Sequence, residues 1–193
     1  MKKAILIFML LFACNQRTPE QQASKDSTNA IKESMDDLDK SSVKFVTEAA
    51  EGNIKEIELG KIAQRNANYD RIKDFAARLT VAYTAANEAL QRASYSAGVT
   101  VPSGPDPDQH YLADFSAKKG PAFDKAYIKE MVNAHQHMME LLDKASHDLK
   151  DTALKNYADT MLPKVTSHLE EARVLLEDVR KQYRPEQGPD QLK

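Results

Sequence analysis

Four long stretches of this sequence repeat their apolar residues every three or four positions, the spacing that gathers them on one side of an α-helix. The first runs from about Leu38 to Asn66, with Phe45, Val46, Ala49, Ala50 and Ile57 in its stripe. The second starts near Tyr69 and carries Ile72, Phe75, Ala76, Leu79, Tyr83, Ala86 and Leu90. Gly98 ends it, and the Pro- and Gly-rich run Val101 to Pro107 breaks the pattern outright. A short helix is expected over Asp108 to Lys118. The third long stretch opens after Gly120, with Pro121 at a first-turn position and Ile128, Met131, Val132, His135, Met138, Met139 and Leu142 in its stripe. The fourth covers Asp151 to Tyr183, through Leu154, Tyr157, Met161, Val165, His168, Leu169, Ala172 and Val179. Pro163 is expected to kink it or to split off its first turns.

Connection lengths turn these stretches into a topology. Stretches one and two, and three and four, are joined by only a few residues, so each pair reads as an antiparallel hairpin. About 22 residues link the hairpins, enough to travel the length of a helix of about 42 Å. The reading is an all-α, ferritin-like, up-down four-helix bundle over residues 38–183, with a long crossover between helices two and three and a frayed tail at 184–193.

The N-terminus carries an address. Lys2 and Lys3 precede an apolar run of ten, Ala4 to Ala13, too short for a bilayer span but suited to a signal-peptide core. Leu11-Phe12-Ala13-Cys14 is similar to the bacterial lipoprotein processing box, in which cleavage before the cysteine leaves that residue to carry lipid. Residues 1–13 then read as signal peptide, Cys14 as the lipidation site, and the polar segment 14–37 as a flexible tether. Asn15 in place of aspartate favours onward sorting to the outer membrane, by analogy with enteric lipoproteins. The periplasm-facing side of the cell envelope is the expected location. The orientation and the oligomeric state stay open.

Other chemistries find no foothold. Cys14 is the chain's one cysteine, which removes disulfides and a thiol nucleophile from the bundle. The net charge is -2, and taking away residues 1–13 leaves 25 basic against 29 acidic side chains, so nucleic acid has no electrostatic support as a partner. No phosphate-binding glycine loop and no G-x-S-x-G elbow occurs.

Polar residues that interrupt the stripes are the remaining signal. Glu56 flanks the first stripe. Asp124 and His135, eleven residues apart, lie about 20° apart around their helix, and His168 sits in the fourth stripe. His137 and His147 are rotated away toward solvent. Two histidines with carboxylates at a bundle seam are donors for a transition metal ion. The same four residues also suit a hydrogen-bonded network that fixes helix register. Both readings stay open, with Met131, Met138 and Met139 adding soft sulfur near His135. The Glu-x-x-His pairs of di-iron bundles are absent.

Several motifs resemble one family. Phe45 to Ala63, Phe123-Asp124-Lys125-Ala126-Tyr127 leading to Met131-Val132-Asn133-Ala134-His135, and Leu162-Pro163 followed by His168-Leu169 are similar to the family catalogued as domain of unknown function 4142. The resemblance implies a ferritin-like fold and an outer-membrane setting for residues 42–180. The family pattern has Asp-His in the second helix, where this chain has Ala82-Tyr83, and an acid before the third-helix histidine, where it has Ala134. Tyr83 therefore joins the candidate site as a neighbour of His135 and His168. The functional expectation is a lipid-anchored envelope protein, non-enzymatic, with a binding, structural or stress-related role and a protein partner as one option. The alternative is an envelope metal-binding or redox protein using Glu56, Asp124, His135 and His168.

Overall fold

A computed structural model describes the backbone of residues 19–101 and 108–184, and the side chains of 40–101 and 108–184. Cys14 and residues 1–13 lie outside the described residues, as does the tail beyond 184. The chain divides into two units, Met1–Asp37 and Leu38–Lys193.

Among the described residues the regular structure is all helix, in five elements: α1 (Pro19–Asn66), α2 (Asp70–Ser96), α3 (Gln109–Ala117), α4 (Gly120–Asp148) and α5 (Thr152–Gln182). Four of them are the long stripes read from the sequence, and α3 is the short crossover helix. Two features bear on the expectations. Helix begins at Pro19, so 19–37 has helical backbone where the composition reads as a flexible tether. After Pro19 that segment contains no Gly or Pro and is rich in Glu, Gln, Ala and Lys, which lose little on entering a helix. Pro163 does not divide α5, which runs through it as one element. Pro163 and Asp159, whose carbonyl loses its intrahelical donor, are both exposed, so water can satisfy that carbonyl.

Local chemistry explains the helix ends. Gly98 takes a positive φ of 69° just after α2. Val99 N–H then donates to Ser94 C=O (2.9 Å), and Gly98 N–H donates to Tyr95 C=O (3.2 Å). This double closure is a Schellman motif, and it favours a residue without Cβ at that position. Asp108 and Asp151 cap α3 and α5 by accepting from Tyr111 N–H and Leu154 N–H.

Side-chain contacts fix the arrangement. Arg71 pairs with Asp178 and Arg78 with Glu171, so α2 and α5 run antiparallel. Lys55 reaches Glu130 (3.0 Å), and Gly52 faces Met138, so α1 and α4 also run antiparallel. Asp124, in the first turns of α4, accepts from Asn68 N–H and Tyr69 N–H at the start of α2, both at 3.0 Å. Hence α2 and α4 run parallel, and the crossover must travel the length of the bundle. Asn66 pins its far end by donating to Ser116 C=O and Lys118 C=O, both at 3.0 Å. The core along the shared seam is apolar and large, with Phe75, Phe123, Leu79, Ile128, Met131, Leu142 and Leu154 fully enclosed. Burial of such side chains stabilises by roughly 1.5–3 kcal/mol each.

Candidate functional site

Within that apolar seam, each long helix contributes one polar side chain to a common layer: Glu56 from α1, Tyr83 from α2, His135 from α4 and His168 from α5. Helical periodicity places each on its inward stripe, and the antiparallel registers bring them to one height. Three rings meet in one cluster. His135 and His168 have centroids 5.7 Å apart and planes at 79°. Tyr83 lies 5.6 Å from His135 and 6.2 Å from His168. Glu56 Oε1 stands 3.6 Å from His135 Nδ1. Glu56 is 4% exposed and His135 0%, whereas His168 is half-buried.

The His135 ring has a defined orientation. Its Nδ1 lies 2.8 Å from the carbonyl oxygen of Met131, one turn earlier. A carbonyl only accepts, so Nδ1 carries the proton, and in the neutral ring Nε2 presents a bare lone pair. That Nε2 has no protein partner, and neither have His168 Nδ1, Glu56 Oε2 and the hydroxyls of Tyr83 and Tyr127, all buried. An unsatisfied buried polar atom costs about 1–3 kcal/mol, so five in one region are an unusual concentration of unmet hydrogen-bonding capacity.

Burial also sets the charges. The Glu56 carboxyl is pushed up to about 8, chiefly by burial and then by Glu130. Burial lowers His135 to about 4, and it lowers His168 as well. Burial, followed by the charge of Glu56, raises Tyr83 and Tyr127 well above the usual phenol range. At neutral pH the layer is therefore a set of neutral polar groups, and the Glu56–His135 contact is not an ion pair.

Asp124 stands apart from this layer. It shares an angular face with His135 but lies about 16 Å away along α4. Its carboxylate accepts from two backbone N–H groups and from the Tyr183 hydroxyl (2.5 Å), which makes it a tie between helix ends. His137 and His147 face solvent as expected. Among the described residues, no three His, Cys, Asp or Glu side chains are grouped to hold a metal ion. An ion in this layer would draw on the two imidazoles, with Tyr83 beside them. Two participants escaped the sequence reading, Tyr127 and Tyr183. Asn53, which shares the flank of the first stripe with Glu56, donates to Tyr157 OH (3.3 Å). Tyr127 did carry a signal, lying one turn before Met131 in the α4 stripe.

A family model for a domain of unknown function, DUF4142, matches residues 24–175. The chain belongs to the DUF4142 family. No curated protein and no solved structure matches it. The DUF4142 match contains Glu56, Tyr83, His135 and His168, and it ends short of Tyr183. The polar layer is thus inside the DUF4142 region, while the Tyr183 half of the Asp124 tie is outside it. No described helix is long and apolar enough to cross a membrane.

Proposed function

We propose that this protein is a lipid-anchored component of the cell envelope whose bundle is a binding module rather than an enzyme. The observation that carries the anchor is the sequence Leu11-Phe12-Ala13-Cys14 at the end of a ten-residue apolar run behind Lys2 and Lys3. Lipid on Cys14 attaches the chain to a membrane from one side, and Asn15 favours the outer membrane. The polar layer supports binding: enclosed, neutral and underpartnered groups suit holding a small ligand. The bundle has no cysteine nucleophile. Ser146 Oγ lies 3.1 Å from His147 Nδ1, but that nitrogen also faces the Asp143 carbonyl at 2.8 Å, so it carries the proton and is no base for the serine. Large apolar residues exposed on the described surface are scattered (Val43 on α1, Val81 and Tyr95 about 20 Å apart along α2, Val174 on α5). That favours a ligand inside the bundle over a partner docked on its outside.

The anchor is tested by expressing the full chain in a bacterium fed a labelled fatty acid. The chain should take up label and sediment with membranes. Cys14→Ala should abolish the label and release the protein. Equal labelling of the variant overturns the anchor.

A further inference from the structure

We propose that His135 and His168 form a two-imidazole site for one monovalent copper ion, reached through the cleft between α1 and α4. This rests on the bundle being a binding module and is independent of the anchor.

The first argument is donor preparation. Metal-binding histidines are commonly held by a second-shell acceptor on the other ring nitrogen, which fixes tautomer and orientation. Met131 C=O does this for His135, leaving Nε2 bare, buried and without a protein partner. His168 Nδ1 is likewise buried and unpartnered, and the two rings meet edge to face with centroids 5.7 Å apart. Two collinear bonds of about 2 Å would set the centroids roughly 6.2 Å apart, so the present 5.7 Å needs a turn of the rings to bring the two lone pairs onto one line. His168, the half-buried ring, has the freedom to turn toward it.

Donor count and charge then select the ion. Structural zinc takes four ligands and the hard divalent cations six or more oxygens, whereas this layer offers two neutral nitrogens with the Tyr83 phenol and the single Glu56 carboxyl alongside. Monovalent copper, with a filled d shell, accepts two imidazoles in a linear arrangement, and imidazole suits copper. The electrostatic cost of burying an ion rises with the square of its charge, so a single positive charge in this buried seam costs about a quarter of a double one.

A path for such an ion is present. A cleft of about 260 Å³ between α1 and α4 is lined by Glu48 and by the Lys55–Glu130 ion pair, and it ends on Glu56 and Tyr83, both in contact with His135. The Met138 thioether lies over the cleft, where a Cβ on residue 52 would stand 2.5 Å from its methyl, so Gly52 makes room for a soft sulfur on the way in.

The test uses the full chain in detergent, with Cys14→Ala to remove its one thiol, titrated anaerobically with Cu(I) against a chromogenic chelator. One equivalent should bind with Kd below about 1 µM. His168→Gln, at a half-buried position, and His135→Phe, which preserves ring volume, should each weaken binding about 100-fold or more. Circular dichroism confirms that each variant is folded. X-ray absorption at the copper edge should show nitrogen donors. No uptake by the parent chain, unchanged uptake by folded His168→Gln, a sulfur first shell, or tighter binding of Zn(II) at the same histidines each overturns the proposal. Loss of lipid labelling by Cys14→Ala would leave this result untouched.

Discussion

The Tyr183 hydroxyl donates to Asp124 Oδ2 at 2.5 Å, joining the end of α5 to the start of α4 across 59 residues of sequence. The same carboxylate holds the backbone N–H groups of Asn68 and Tyr69 at the α1–α2 corner. One fully buried side chain therefore ties three helix termini together.

Removing it should be costly. Asp124→Ala leaves two backbone donors and a phenol without their acceptor, so stability should fall by about 3 kcal/mol or more in chemical denaturation. Tyr183→Phe removes two bonds at a half-exposed site, one to Asp124 and one from Asn68, and should cost about 1–2 kcal/mol. Neither variant should alter the polar layer three turns away. A cost below about 1 kcal/mol for Asp124→Ala would show that the tie contributes little.

Gly60 predicts a second weak point. A Cβ there would press into the Thr80 side chain and stand 3.1 Å from the backbone oxygen of Ala76, which cannot withdraw without moving α2. Gly60→Ala raises intrinsic helix propensity by about 1 kcal/mol, yet the crowding should outweigh it, for a net loss of about 1–2 kcal/mol. A melting temperature above that of the parent would contradict the close α1–α2 approach.

The buried pair Glu56 and His135 gives stability an opposed pH dependence in metal-free buffer. Glu56 keeps its proton in the fold up to about 8 but ionises near 4.5 when unfolded, so stability declines as pH rises from 4.5 to 8. His135 stays neutral in the fold down to about 4 but gains a proton below 6.5 when unfolded, so stability declines as pH falls from 6.5 to 4. The two slopes oppose each other between about 4.5 and 6.5. Above 6.5 Glu56 acts alone, and stability should drop by about 2 kcal/mol by pH 8. Glu56→Gln should flatten that limb in denaturant titrations at pH 6.5 and 8. A parent protein with no slope there would mean that Glu56 is already ionised.

What the sequence disclosed follows from what periodicity encodes. Stripe spacing fixed the angular position of each inward residue, which is why the four long helices and the inward faces of Glu56, His135 and His168 were legible. It carries no height along the axis relative to another helix. Asp124 shares His135's face, and only the α1–α2 corner, folded against α4, shows that it belongs to an end tie. Tyr83 entered through a family resemblance, because a tyrosine in an apolar stripe reads as packing until its neighbours are known. Tyr183 was invisible for a related reason: its role depends on where α5 ends beside Asn68 and Asp124. At Pro163 the general rule against proline inside a helix gave way to an exposed site where water relieves the freed carbonyl.

The central claim is that a neutral His135, bonded through Nδ1–H to Met131, holds a bare Nε2 inside the seam. Nitrogen-15 NMR of the imidazoles in the metal-free chain tests it most directly. The account predicts an Nδ1–H tautomer for His135, unchanged from pH 8 down to about 5. An Nε2–H tautomer, or a titration of His135 near 6.5, would contradict it.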